Sequence, residues 1–310
     1  MKNHKKQIYI SPFIKIINIL LFVFGVICIH FLYESRINSI KTSICLITKE
    51  EIRYIKEFVD YYRKLNIKKI FLYDNNDING EYLENILSNY IKLDFIEIIN
   101  YRGRYKPQFQ AYNHCYFNKN KDFNWVAFYD ADEYLYINLY TDINKFLSLS
   151  KFRKCLSILI NWKYYGDNEK LYYEPRPLQE RFTKPFYFKN FGERNKIFYS
   201  AGKTIVRTGL NLTWNLFPHY LKNTPICRPN GKELKNYFSP PQYSSAFIRH
   251  YATKSTEEFI ERIIRGTANS KSYDISQYIR YKINSYYFLF NKKNKKKKNM
   301  FEKKFNITLK

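Results

Sequence analysis

Between residues 42 and 133, short apolar runs alternate with stretches of helical spacing, and this rhythm restricts the fold more than any other feature of the chain. Thr42 to Thr48 (TSICLIT) has the length and composition of a buried strand. In Glu50 to Leu65, the residues Ile52, Ile55, Phe58, Val59 and Tyr62 recur at helical spacing, which predicts an amphipathic helix. Lys69 to Tyr73 (KIFLY) predicts a second strand, ending in Asp74-Asn75-Asn76-Asp77 and the turn residue Gly80. Glu81 to Tyr90 predicts a helix, Asp94 to Ile99 (DFIEII) a strand, Gln108 to Asn118 a helix, and Trp125 to Tyr129 (WVAFY) a fourth strand. Strands that alternate with helices predict an α/β fold, a mostly parallel sheet with helices on both faces.

In such sheets ligands bind outside the carboxyl ends of the strands. Two acidic groups fall there: Asp74 after the second strand, and Asp130-Ala131-Asp132-Glu133 after the fourth. Acidic residues at strand ends also serve as turn formers, and for Asp77 that is the better account. Three carboxylates this close repel one another unless a cation compensates. An Asp-x-Asp arrangement suits Mn²⁺ or Mg²⁺, which take one or two carboxylates and complete their shell with substrate phosphate oxygens. A metal so held neutralises charge on a diphosphate leaving group. A lone Asp-x-Asp recurs by chance; its place at the end of an apolar strand is what strengthens it.

Ahead of this region, Ile16 to Tyr33 (IINILLFVFGVICIHFLY) is almost wholly apolar and near the lower bound of roughly 17–25 residues for a spanning helix. Lys2, Lys5, Lys6 and Lys15 precede it, so the positive-inside rule places the N-terminus in the cytosol. A cleaved signal peptide is the rival; its cleavage site needs small residues, and here the run ends in His30-Phe31-Leu32-Tyr33. The expected plan is a cytosolic tail (1–15), a transmembrane signal anchor in the lipid bilayer (16–33), a short stem (34–41), one catalytic domain (42–290) and a basic tail (291–310). Asn211-Leu212-Thr213 and Asn306-Ile307-Thr308 are glycosylation sequons if the bulk is luminal. The lysines from Lys292 to Lys298 predict a solvated tail, since clustered like charges repel. The five cysteines show no zinc-knuckle or CxxC spacing; Cys28 and Cys45 are expected as core or lipid-facing residues, and the odd count accommodates one disulfide or none.

Beyond residue 150, Ser157 to Tyr164 (SILINWKY), Lys203 to Arg207 (KTIVR) and Ala246 to Tyr251 (AFIRHY) predict strands. Ser255 to Gly266 predicts a helix with Ser255 or Thr256 as cap, Glu257 and Glu258 in its first turn and Gly266 at its end.

Several short blocks follow one another in order. They are Ile47-Thr48-Lys49-Glu50-Glu51; Phe58 to Tyr62 leading into Leu65-Asn66-Ile67; Leu72-Tyr73-Asp74-Asn75; Gln110-Ala111-Tyr112-Asn113; and Trp125 through Leu135. Asn161-Trp162 with Tyr165-Gly166, Arg181-Phe182-Thr183, Lys203 to Val206, and Ile248-Arg249-His250-Tyr251 with Thr253-Lys254-Ser255 and Glu258-Phe259 follow. Taken together they resemble glycosyltransferase family 92 and its close relatives, the DUF23-like group, with Glu50 where the family has Asn and without the second Gly expected in the Trp162 block. The resemblance implies a GT-A fold and transfer of a hexose, galactose first, from a UDP-sugar donor to a glycan acceptor. It implies donor binding by Lys49, Glu51, Asp74 and Asp130, and Mn²⁺ or Mg²⁺ held by Asp130, Asp132 and His250, with His219 a rival histidine. Inversion requires a carboxylate base; Asp167 is the first candidate and Glu180 the second. Trp162, Tyr164 and Tyr165 are candidates to stack on the acceptor sugar. A single-pass type II protein of the Golgi or another secretory membrane is the expected setting.

Three competing readings stand beside this one. The net charge of +26 favours a nucleic-acid-binding protein, but no nucleic-acid-binding motif accompanies the charge, and no such partner is expected. A glycan-binding relative without turnover is the second. The third is an aspartyl phosphotransferase, which needs Thr or Val where Tyr134 stands.

Overall fold

A computed structural model describes residues 12–105, 107–185, 201–212, 216–217, 219–221, 225–235, 239–266 and 295–306. The first described element is helix α1 (Pro12–Ser39), whose side chains are described for residues 17–32 and are mostly exposed and apolar. Among the described residues no helix is long and apolar enough to cross a membrane. Both sequons reach beyond the described residues, at Thr213 and at Ile307-Thr308, as do Lys2, Lys5, Lys6, Lys292 and Lys293.

The sheet is built around β1 (Thr42–Thr48), in which every residue is buried. Helix α2 (Ile52–Lys64) follows, then β2 (Lys69–Asp74), α3 (Glu84–Lys92), β3 (Ile96–Asn100), α4 (Gln108–His114) with a π turn to Lys119, and β4 (Trp125–Phe128). β1 lies parallel between β2 and β4, and β2 lies parallel to β3. Alternate β1 residues serve two cores. Ile44 and Leu46 pack with Ile55, Phe58, Val59 and Tyr62 of α2, while Cys45 and Ile47 pack with Ala111, Tyr112 and Cys115. That is the physical meaning of an apolar run with no polar face: both faces of the strand are covered.

The second half departs from the expected parallel pattern. It comprises β5 (Glu133–Ile137), α5 (Ile143–Leu147), β6 (Ser157–Tyr164), α6 (Leu178–Arg181), β7 (Gly202–Arg207), a hairpin of β8 (Leu216–Phe217) and β9 (Tyr220–Leu221), β10 (Ile226–Cys227), β11 (Ala246–His250), α7 (Thr256–Arg265) and α8 (Lys295–Phe305). The strand order is β3-β2-β1-β4-β7-β6-β11-β5, with β10 on β6. β7 is antiparallel to both β4 and β6, and β11 is antiparallel to β5, while the other five pairings of this sheet are parallel, so the sheet is mixed but still mostly parallel. β7 approaches β6 so closely that a Cβ on Gly202 would lie 2.1 Å from the Ile160 carbonyl oxygen, which only glycine avoids.

Two tyrosines of α2 secure β5. The Tyr62 hydroxyl donates to the Glu133 carbonyl at 2.9 Å and accepts from the Leu135 N–H at 3.0 Å, and the Tyr61 hydroxyl donates to the Leu135 carbonyl at 2.6 Å. At the far end of the chain, Ser255 and Glu258 form a reciprocal cap on α7. Glu258 is buried, accepts from Tyr54 of α2 at 2.6 Å, and takes both terminal nitrogens of Arg181 at 2.8 and 3.0 Å. One carboxylate thereby ties α7 to α2 and α6.

Two expectations are corrected here. Four of the five cysteines pair, Cys45 with Cys115 and Cys155 with Cys227, so the chain has two disulfides rather than one or none; Cys28 is free. Each closes a loop of about 70 residues, a constraint on the unfolded chain of roughly 4 kcal/mol. The basic run is also not wholly a solvated tail. Lys295–Phe305 is helical, Phe301 is buried against Phe259 of α7, and the Lys297 ammonium is buried 2.6 Å from Asp167 and 3.0 Å from Glu169. Like charges are tolerated because opposite charges of the body receive one of them.

Lys297→Met is expected to lower stability by about 3 kcal/mol, the cost of removing one partner from a buried ion pair. An unchanged urea midpoint of the full chain would show that α8 is not docked through this residue.

Candidate functional site

A cavity of about 440 Å³ opens at the carboxyl ends of β1, β4 and β11. Ile47, Thr48, Lys49 and Glu51 line it from the end of β1 onward, Asn75 from the turn after β2, and Asp130, Ala131 and Asp132 from the turn after β4. Trp162 of β6, His250 of β11, and Arg262, Arg265 and Gly266 of α7 complete the opposite wall, with Arg104, Tyr105, Gln108 and His219.

The acidic turn meets the histidine because β5 begins at Glu133 and pairs with β11. His250 stands opposite Glu133 in that ladder, and the Tyr251 N–H donates to the Asp132 carbonyl at 3.0 Å. His250 Nε2 then lies 3.7 Å from Asp132 Oδ1. Asp132 Oδ1, Glu133 Oε1 and His250 Nδ1 are buried without hydrogen-bond partners among the described residues. Asp132, Glu133 and His250 each offer a ligand atom, and these atoms lie within 4.8 Å of one another. Two carboxylates and an imidazole form a donor set suited to a divalent cation such as Mn²⁺. Their unpartnered buried atoms are what such an ion would satisfy, so the residues present fit a metal.

Every carboxylate of the site also has an internal cation. Arg262 Nη1 is 2.7 Å from Asp132 Oδ2, Lys203 Nζ is 3.0 Å from Asp130 and 3.6 Å from Glu133, and Arg265 Nη1 is 2.5 Å from Glu51. Burial pushes the Asp132 carboxyl up, but Arg262, His250, Lys254 and Arg265 outweigh it and hold the group well below the usual carboxylate range. Burial also opposes the Asp130 shift, and Lys203 again brings the net direction down. Glu133 goes the other way: burial raises it well above its usual range despite Lys203, with Asp130 and Asp132 adding to the rise. Burial lowers His250 to about 4 against the pull of Asp132, so its imidazole is neutral at physiological pH, as metal ligation requires.

The residues expected from the sequence divide into those brought to the cavity and those held elsewhere. Lys49, Glu51, Asp130, Asp132, His250 and Trp162 line it, and so does His219, whose Nδ1 is 2.8 Å from the Gly202 carbonyl oxygen. Asp74 is not among the lining residues. It accepts from the backbone and side chain of Asn76 and pairs with Arg102 at 2.5 Å, which orders the turn that presents Asn75. Asp130, expected with Asp132 and His250 on the metal, is turned toward Lys203, and Glu133 takes its place in the group whose ligand atoms converge. Neither base candidate lines the cavity: Asp167 is buried against Lys297, and Glu180 is exposed on α6. Tyr165 packs on Tyr251, and Tyr164 lies 5.2 Å from the His250 ring.

Arg262, Arg265 and Lys203 received no role from the sequence. The available signal was two arginines at i, i+3 spacing on the amphipathic helix that follows His250. Among so many basic residues that spacing is unremarked until the helix is placed against the acidic turn.

With the geometry in place, comparison with known proteins is informative. A family model described as Glycosyltransferase family 92 matches residues 41–298. A glycosyltransferase family 92 protein of Ricinus communis is 25% identical over 108 residues, which is 34% of this chain and 18% of the relative. One from Oryza sativa subsp. japonica is 27% identical over 94 residues (30% and 16%), and one from Arabidopsis thaliana 26% over 107 residues (32% and 17%). The matched segments thus span less than a fifth of these relatives. Among solved structures, S. aureus TarS 1–349 covers 82% of this chain and 74% of its own at 14% identity and a TM-score of 0.41, and its complex with UDP gives a TM-score of 0.40.

A histidine whose folded pKa is depressed protonates more readily in the unfolded chain, so its contribution to stability falls as pH drops from about 6.5 toward 4. For His250 the loss is on the order of 3 kcal/mol. In chelator-treated protein, His250→Gln should flatten the fall in unfolding free energy over this window. The difference between variant and wild type isolates the histidine, since the raised Glu133 acts in the opposite sense. Identical slopes would refute a buried neutral His250.

Proposed function

The chain belongs to glycosyltransferase family 92, and from that premise we propose that it is a metal-dependent hexosyltransferase. It moves a hexose, galactose first, from a UDP-sugar to a glycan hydroxyl with inversion. The observation that carries this reading is the composition of the cavity at the strand ends. Lys49, Arg104, Arg262 and Arg265 give it four basic side chains, set beside the Asp132-Glu133-His250 group. A nucleoside diphosphate sugar with a divalent cation presents the complementary charges.

Each part of the cavity then has a task. Guanidinium groups hold diphosphate oxygens by paired, charge-assisted hydrogen bonds, and Arg262 and Arg265 enter the cavity from one face of α7. The turn after β2 reaches the nucleoside side through Asn75, with Asp74 setting the turn from behind. Trp162 offers a ring to a sugar. Asp132 and His250, with Glu133, would hold Mn²⁺ or Mg²⁺, which neutralises charge on the departing diphosphate. Lys203 keeps Asp130 and Glu133 compensated in the interior. An inverting base must lie within hydrogen-bond reach of an acceptor hydroxyl at the donor's anomeric carbon, and neither Asp167 nor Glu180 lines the cavity proposed for the donor.

The setting we propose is a type II membrane protein of the Golgi or another secretory compartment, with the catalytic domain in the lumen. Two disulfides within the domain favour an oxidising compartment. The exposed apolar side chains along residues 17–32 favour burial of α1 in a bilayer.

Full-length chain in detergent should hydrolyse or transfer from UDP-galactose with Mn²⁺ and lose that activity in EDTA. Asp132→Ala should reduce it by on the order of a hundredfold or more, as for loss of a group that stabilises transition-state charge. Activity that survives both chelation and the substitution would overturn the metal-dependent reading.

A further inference from the structure

Arg262 holds one oxygen of the carboxylate that a metal ion would use, Asp132 Oδ2, while Oδ1 is without a hydrogen-bond partner among the described residues. Its Nη1 lies 2.7 Å from Asp132 Oδ2 and 2.6 Å from the Ala252 carbonyl oxygen. A divalent cation on the same carboxylate sits roughly 2 Å from its oxygens. The ion and the guanidinium would then stand within a few ångströms of each other, and their repulsion opposes metal binding. Arg262 is not sealed in place: its side chain is 29% exposed and lines the cavity. An anion in that cavity would offer the guanidinium a second anionic partner.

Charge across the whole cavity leads to the same point. Its wall already carries four basic side chains against the carboxylates of Glu51, Asp130 and Asp132. A divalent cation arriving alone makes the site more positive, whereas a cation and a nucleoside diphosphate arriving together nearly cancel. Arg265 sits one turn further along α7 on Glu51, and a diphosphate between the two arginines would engage both.

We propose that Arg262 is the resident counter-cation of Asp132, which it releases to a divalent metal when a nucleoside diphosphate takes over the guanidinium. The proposal rests on the nucleotide-sugar reading of this cavity. Arg262 is then a positioning residue whose function is to couple the two ligands. It keeps the metal site weak in the free protein and makes metal and nucleotide bind as a pair. Because coupling is reciprocal, Mn²⁺ must strengthen UDP binding by the factor by which UDP strengthens Mn²⁺ binding.

The test measures Mn²⁺ binding to full-length chain by the electron paramagnetic resonance of free Mn²⁺, with and without UDP. In wild type, UDP should tighten Mn²⁺ binding by on the order of ten- to a hundredfold. Arg262→Gln should bind Mn²⁺ about tenfold more tightly than wild type without UDP, and gain correspondingly less when UDP is added. Arg262→Lys, which keeps the charge, should retain weak binding in the free protein, and circular dichroism confirms that both variants fold. If Arg262→Gln binds Mn²⁺ no more tightly than wild type without UDP, Arg262 is only a structural support for Asp132 and the proposal fails. Wild type that binds no Mn²⁺ under either condition, or Asp132→Asn that binds it as well as wild type, overturns the metal reading itself.

Discussion

The site depends on one antiparallel pairing. β5 begins within the acidic turn and runs beside β11, with Glu133 opposite His250 and Arg249 opposite Tyr134. These residues lie in distant parts of the chain, and no local interaction brings them together. A slip of one residue in the ladder would send the His250 ring to the other face of the sheet, away from Asp132. The pairing is therefore held from several sides. Tyr61 and Tyr62 of α2 bind the β5 backbone, the Tyr251 N–H binds the Asp132 carbonyl, and β6 lies parallel along the other edge of β11.

Around that ladder the protein stores charge in matched pairs. Buried ion pairs are poor contributors to stability, because desolvation offsets most of their attraction. Several here serve the carboxylates of one site, with Lys203, Arg262 and Arg265 as the cations. Arg262 and Arg265 line the cavity while paired, and Lys203 is buried behind it. The Glu258 network bears on the two arginines at a distance. By fixing the first turn of α7 to Tyr54 and Arg181, it sets where Arg262 and Arg265 emerge on the following turns.

Much of the scaffold was legible from residue pattern. Thr42–Thr48 and Ser157–Tyr164 are strands with the bounds expected, and α7 is capped by Ser255, one of the two residues expected there. These elements are legible because local spacing and local hydrogen bonding decide them. β5 was not separated from the acidic turn, because Glu133 to Ile137 continues an apolar run whose reversal of direction leaves no mark in composition. The antiparallel strand β7 looks in sequence like any other short apolar run, so its direction was not legible. Disulfide partners were equally hidden, since pairing depends on which Cα atoms approach within about 6 Å.

By itself, the sequence determined the alternating α/β scaffold and the placement of an acidic turn at the end of the fourth strand. Both follow from side-chain period and from where strands must end. Residue type and position made Asp132 a candidate, and the family resemblance added His250. Only the tertiary structure decided the rest. It set Glu133 with Asp132 and His250, and it turned Asp130 to Lys203. It also placed Asp167 beneath Lys297 and outside the cavity, and put Arg262 on Asp132. Those choices depend on how charges from distant segments compensate one another once buried, and a linear pattern carries no information about which cation will meet which carboxylate.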